Sequence, residues 1–414
     1  MRLSIANRIN ISFGWETWLT LLLCTVWASM MWVYADGVFN RLPVINLFSD
    51  WMTASLFVLP ALLSLPAMMR RLCLIDYLFY FVNVLIYMGC YVFFPKNTPY
   101  LNEYAFTSLA CVYTYYFIGR VMDIDRLFTL FTYLSAICIL ADLFFYLVYM
   151  PGHKNMATEA NEDNMYAAYQ ALPHVAFMLW ATAERFRIWK LAMGFLGVLF
   201  LLSCGTRGPL VCIAFFGIIY FFFYMNFKGA VYIKSLLVAA GIILLANLRS
   251  IAIYLAQTFT GLNLSTRIME KIVMGDLGND SQRGALRERV YEVLANGDHF
   301  WGLGLFGCRN YGVIYPHFLP LDFFCTYGYF MGSILLALLV LLIVGALWLS
   351  RGKKAQQFIV FLFSVSVIKL LMSNSFIIEP YFFFLVGFCA REVLLWNNAR
   401  KSAQIPPVTE PAIS

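Results

Sequence analysis

Residues 257–326 read QTFTGLNLSTRIMEKIVMGDLGNDSQRGALRERVYEVLANGDHFWGLGLFGCRNYGVIYPHFLPLDFFCT, and they interrupt a chain that is otherwise largely apolar. This stretch holds Arg267, Arg283, Arg287, Arg289, Arg309 and His317. The runs before and after it have the composition of membrane spans. Cations and an imidazole gathered in one large loop between such runs point to an anionic substrate handled at a membrane surface.

The rest of the composition agrees. Apolar residues make up 62% of the 414-residue chain, aromatic residues 18% and charged residues only 12%, with a mean hydropathy of +0.75. Soluble domains carry roughly 25% charged residues, so a soluble enzyme is excluded and a polytopic membrane protein is indicated. The formal net charge of +7 belongs to short loops between spans and is a matter of topology, not of nucleic-acid binding. Of the ten cysteines, eight lie in or beside apolar runs without a CxxC pair and behave as small hydrophobes. Cys308 and Cys325 alone fall in the large loop, where spacing leaves open whether they form a disulfide.

Apolar runs of helical length occur at about 17–34, 52–69, 74–94, 104–119, 127–150, 170–184, 188–205, 209–225, 235–256, 328–349, 356–373 and 376–394. They predict an all-α polytopic bundle of about twelve transmembrane helices, since some 20 residues cross a bilayer. The first run is too long for a secretory signal and reads as a retained helix. The sixth is the weakest, being short and carrying Pro173 and His174. With twelve spans, seventeen Lys and Arg fall on one side, among them Arg70, Arg71, Arg120, Arg185, Arg187 and Lys354. The short loops on the other side hold Arg41, Lys96, Lys154 and Arg207. That bias puts both termini in the cytoplasm and the large loop outside. The organisation expected is nine helices over 1–256, a large extracytoplasmic loop over 257–326, three helices over 327–395 and a cytoplasmic tail over 396–414. From Ser402 the tail reads as short and disordered, because Pro406, Pro407 and Pro411 prevent helix.

Within this frame a few short constellations carry chemistry. Cys204-Gly205-Thr206-Arg207-Gly208-Pro209 lies at the external junction of the seventh and eighth spans, with Pro209 suited to a first helical turn. Arg207 reads either as an arginine snorkelling at the headgroup level or as a ligand for an anion. Asn279-Asp280-Ser281 offers N-caps for a helix from about Gln282 to Leu294. On that helix Arg283 and Arg287 share a stripe with Val290 and Leu294, while Glu288 and Glu292 face away. Two guanidiniums on the docking face need an anionic partner. The partner is a protein carboxylate such as Asp322 or Glu270, or a diphosphate held in bidentate fashion. Gly302-Leu303-Gly304-Leu305-Phe306-Gly307 matches GxGxxG in letters only, because no βαβ unit surrounds it; it reads as a glycine turn.

His317 follows Tyr315-Pro316 just before the tenth span, and among four histidines it is the best placed as an external base. An ordinary imidazole pKa of about 6.5 suits it to accept a hydroxyl proton at neutral pH. The scattered histidines and the lack of an acidic cluster at ligand spacing indicate no metal site. Lys369 and Glu379 flank the turn at Asn374 and Ser375 and read as a pair across a helical hairpin. Asp142 has no partner visible in the sequence and would serve as a proton relay if the chain were a transporter.

Taken in order, these residues resemble the O-antigen ligase and polymerase superfamily, bacterial membrane glycosyltransferases that use undecaprenyl-diphosphate-linked sugars. Thr206-Arg207-Gly208 is similar to that family's S/T-R-G turn. Ser281-Gln282-Arg283, its helix and Gly302-Leu303-Gly304 are similar to the family's arginine helix and G-x-G turn. His317 with Tyr327-Gly328 and Gly332 is similar to its histidine motif, and Met372-Ser373-Asn374-Ser375 through Pro380 resembles the ending of its repeat-unit polymerases. The motif-bearing match covers roughly residues 190–390. Phe318 stands where the family often has Asn, and Arg287 where an aromatic is expected.

The resemblance implies a GT-C-like fold in the bacterial inner membrane and a metal-independent enzyme without a cofactor. Arg207 and Arg283, assisted by Arg287, would bind the diphosphate of an undecaprenyl-diphosphate-linked oligosaccharide donor. His317 would deprotonate a hydroxyl of the lipid-linked acceptor, and a chain-length regulator would be a further partner. The expectation is a polysaccharide polymerase. An O-antigen ligase acting on lipid A core is the nearest alternative, and a transporter of lipid-linked sugar, working through Asp142 and Lys369, is the alternative of a different class.

Overall fold

The computed structural model describes residues 2–5, 9–12, 14, 69, 72–106, 108–109, 113–144, 160–225, 230–261, 266–275, 283–296 and 300–404. Apart from a small antiparallel hairpin of β1 (Arg2–Ile5) and β2 (Ile9–Ser12), the described elements are helical. They are α1 (Leu74–Phe93), α2 (Thr98–Phe106), α3 (Tyr113–Val121), α4 (Ile124–Phe144), α5 (Ala160–Glu184), α6 (Ile188–Ser203), α7 (Arg207–Ile219), α8 (Ala230–Ala246), α9 (Leu248–Gly261), α10 (Arg267–Met274), α11 (Arg283–Ala295), α12 (Leu319–Leu349), α13 (Lys354–Phe363) and α14 (Pro380–Gln404). Turns of π-helix extend α7 through Tyr224 and α13 through Ile368.

Four of these helices are long and apolar enough to cross a membrane: α1, α4 from Leu127, α7 with its extension, and α12. The pair α8 and α9 adds a fifth if its two halves, bent by 70°, make one span. Their outward faces are apolar: Leu74, Phe93, Leu341 and Trp348 are all exposed, as side chains facing lipid are. The twelve expected spans are matched only in part. Residues 17–34, and 52–69 except Met69, lie outside the described residues. The expected span 104–119 falls across two nine-residue helices, α2 and α3, each about 14 Å long and too short to cross alone. The span 235–256 is broken at Asn247. The weak sixth run belongs instead to the 25-residue α5, which contains Pro173. Helix α14 runs to Gln404, past the expected end of the last span.

Close packing sets the centre of the bundle. A Cβ on Gly119 of α3 would stand 2.6 Å from the Phe384 carbonyl oxygen, and one on Gly387 would run into the Tyr116 carbonyl. Glycines on both helices thus let α3 and α14 touch backbone to backbone. Beside this crossing the buried Asp76 carboxylate accepts from Arg120 Nε at 2.5 Å and Nη2 at 3.1 Å, and from the Tyr116 hydroxyl at 2.8 Å. The partners satisfy a charge that would otherwise be very costly to bury.

The cationic loops gather at one end. Lys354 Nζ lies 3.3 Å from Asp125, Arg391 donates to the Met122 carbonyl, and Arg185, Arg187 and Lys190 border the same cavity as Lys354. The turns at 204–207, 315–318 and 373–379 come together at the other end, beyond α6 and α13. Among the described residues, the turns of Arg185, Arg187 and Lys354 thus lie at the end opposite the turns at 204–207 and 373–379.

Candidate functional site

The loop over 257–326 is built on helices α10 and α11 and a glycine turn. Helix α11 starts at Arg283 and ends at Ala295, one residue from each expected bound. Val290 and Leu294 are buried on it and pack with Cys308, Val313, Leu321 and Cys325. Gly302 and Gly304 both have φ above +70°, in the left-handed region that favours glycine. A Cβ on Gly302 would lie 2.8 Å from the Cys325 carbonyl oxygen and 2.9 Å from that of Thr326, and Leu303 N–H donates to the Cys325 carbonyl at 2.6 Å. The turn is pressed against a break in α12 at Gly328, where φ is 75° and ψ 170°. That break divides a short helix of the loop from the membrane helix proper. The Cys308 and Cys325 thiols are free and within hydrogen-bonding reach of each other.

Arg287, one turn along α11 from Arg283, donates from Nη2 to the His317 carbonyl at 3.1 Å and lies 5.5 Å from the centre of the Phe318 ring. The position where the resembled family favours Asn thus holds an aromatic face for a guanidinium. His317 has φ +55°, and its ring centre lies 4.4 Å from that of Tyr315. Asn374 in the last turn also has positive φ. Strained residues of this kind persist where the surrounding structure holds them, and they concentrate at working sites.

Tyr169 of α5, absent from the sequence reading, joins these pieces. Its hydroxyl lies so close to the Gly208 Cα that any Cβ there would run into it. Arg283, Tyr315 and Cys212 are within electrostatic reach of that hydroxyl, and the Ser373 side chain is within hydrogen-bonding reach. Lys369 Nζ lies 5.4 Å from the centre of the Tyr169 ring. One side chain therefore touches the turn that carries Arg207, faces the first residue of the arginine helix, and meets the histidine turn and the turn at 373–379. No spacing or motif singled it out.

Both acids of this neighbourhood are occupied. Glu379 pairs with Lys369 at 2.5 Å and accepts from Asn374 at 2.8 Å, the pairing expected across the hairpin. Asp322 accepts from Ser375 Oγ at 2.7 Å and Phe376 N–H at 3.1 Å. Glu270 is taken by the Thr266 hydroxyl. Among the described residues Arg283 has no ion-pair partner, so neither carboxylate proposed for it serves. Arg207 and Arg283 each stand at the first position of a helix, where the helix dipole adds to the positive potential. Gln170 Oε1, Thr206 Oγ1 and Glu379 Oε1 are buried and lack hydrogen-bond partners among the described residues.

Other expected contributors lie elsewhere. Arg309 sits over Tyr104 at 4.4 Å, close to Tyr100 and Phe306, and is 3.9 Å from Glu103; it fastens the loop to α2. Asp142 is buried and forms no ion pair among the described residues. Three cavities bounded by described residues are lined by other side chains than Arg207, Arg283, Arg287 and His317. Comparison with family models, curated proteins and solved structures finds no match to this chain.

Proposed function

We propose that this chain is a membrane glycosyltransferase that polymerises undecaprenyl-diphosphate-linked oligosaccharide repeat units, as for O-antigen, capsule or exopolysaccharide, on the outer face of the bacterial cytoplasmic membrane. The observation that carries the reading is the meeting of four sequence-distant segments at Tyr169. The turn that carries Arg207, the helix of Arg283 and Arg287, the turn of His317 and the turn of Ser373 meet there, with Arg283 and Lys369 near the Tyr169 side chain and Asp322 and Glu379 already engaged.

In this reading Arg207 and Arg283 bind the donor diphosphate. Arg287 holds the His317 backbone and lends charge. His317 takes the proton of an acceptor hydroxyl as its oxygen bonds to the anomeric carbon. The bond from that carbon to the diphosphate breaks, and undecaprenyl diphosphate leaves with the electron pair. The leaving group needs no proton, so preorganised guanidiniums supply the stabilisation the step requires. The pairing of Lys369 with Glu379 supports a structural role for Lys369 across the hairpin.

The test is lengthening of lipid-linked glycan by purified protein. His317→Ala should slow it by about 10²–10⁴-fold, the usual worth of a general base, and Arg207→Ala should weaken donor use. Normal product ladders from both variants would remove the proposal. Transfer to lipid A core, without lengthening of lipid-linked chains, would move the assignment to a ligase.

A further inference from the structure

At the end of the bundle opposite Tyr169 lies a cavity of about 290 Å³ lined by Arg185, Arg187, Lys190 and Lys354, with Glu184 and Trp189. Helix α6 separates the two places by about 24 Å. Arg187, Arg185 and Lys354 act electrostatically on Lys190, opposed by Glu184. Glu184 is already used, accepting from the Tyr220 hydroxyl at 2.9 Å. Asp125, outside the cavity lining, holds Lys354 at 3.3 Å. Among the described residues Arg185 and Arg187 have no ion-pair partner.

The helix ends make the accumulation costlier. Helices α6 and α13 both begin here, with Arg187 and Lys353 as their N-caps, and neither has an acid in its first turn. A helix N-terminus carries partial positive charge and normally attracts Asp or Glu. Here two of them meet a cluster of cations, with Lys190 buried and tied to the Ala181 carbonyl at 2.9 Å. Orientation in the membrane accounts for cations in a loop. It does not account for a cavity whose walls are cationic and whose helix dipoles point the same way.

We propose that this cavity binds a phosphate group, with Arg185 and Arg187 as its main ligands, the helix starts at Ile188 and Lys354 as its dipole support, and Trp189 as the apolar wall. Two sources share that chemistry: the headgroup of an anionic phospholipid, as in basic pockets between membrane helices, and a soluble phosphate compound.

The experiment compares native full-length protein with the Arg185→Gln/Arg187→Gln variant. Both side chains are exposed, so thermal unfolding should be unchanged. Lys354→Gln provides a second variant should the first unfold. Lipid retention is read by native mass spectrometry with phosphatidylglycerol against phosphatidylcholine. Inorganic pyrophosphate is titrated separately, with Trp189 emission obtained by difference from Trp189→Phe. Preferential retention of phosphatidylglycerol, weakened about fivefold per cation removed, supports the lipid source. Saturable pyrophosphate binding lost in the variant supports the soluble source. Equal behaviour of native and variant proteins toward both probes overturns the proposal.

Discussion

The contact between Gly208 and Tyr169 makes the sharpest prediction. In Gly208→Ala the new methyl runs into the Tyr169 hydroxyl and stands 2.8 Å from Cζ and 3.3 Å from Cε1. Carbon atoms rest at about 3.5–4.0 Å, so the ring or the start of α7 must retreat by about 0.7 Å or more. Tyr169 is buried, on a helix whose Ala168, Ala171 and Leu172 are buried as well, and overpacking of such a place costs about 1–3 kcal/mol. The functional effect should be larger. A shift approaching 1 Å in the turn misplaces Arg207, and misplacement of that order costs about 10²-fold in rate. The assay is the rate of glycan lengthening by purified protein, read beside its thermal unfolding. Tyr169→Phe removes the worst of the collision, so the Gly208→Ala/Tyr169→Phe pair should recover part of the stability lost by Gly208→Ala alone. If Gly208→Ala matches native protein in both rate and unfolding, the idea that Tyr169 organises the site is wrong.

Two predictions concern buried charge. Arg120→Leu strands the Asp76 carboxylate and should lower stability by about 3–5 kcal/mol, measured by thermal unfolding in detergent; a loss below about 1 kcal/mol would contradict the geometry around Asp76. Lys369→Met should be similarly destabilising because Glu379 stays buried, whereas Lys369→Met/Glu379→Gln should restore most of the loss. A double variant as unstable as the single one would show that the ion pair is not the source of the effect.

The local parts of the site were legible in the sequence because their signals are local. The stripe of Arg283, Arg287, Val290 and Leu294 located α11 within a residue at each end, while the caps read at Asn279-Asp280-Ser281 lie outside the described residues. Gly302 and Gly304 announced a turn, since positive φ selects glycine. The pairing of Lys369 with Glu379 followed from their places on one hairpin. Tyr169 was not legible. It is one of 25 tyrosines, it sits in a helix with little periodic contrast, and its importance arises from tertiary packing against Gly208. Arg309 misled for the same reason: its aromatic cage comes from Tyr100 and Tyr104, roughly 200 residues earlier. The span at 235–256 failed in another way. Average hydropathy passes over Asn247 and Arg249, yet that is where the helix turns.

The crossing of α3 and α14 bears on how the molecule is made. Arg391 reaches the Met122 carbonyl across 269 residues of chain, and Gly387 seats on Tyr116 only once the chain has been made through α14. Helix α3 must therefore wait in the bilayer with a groove open along Gly119, and α14 closes it like a keystone. A message truncated before codon 380 would yield a chain that inserts but never locks, and quality-control proteases would meet it with that groove still uncovered.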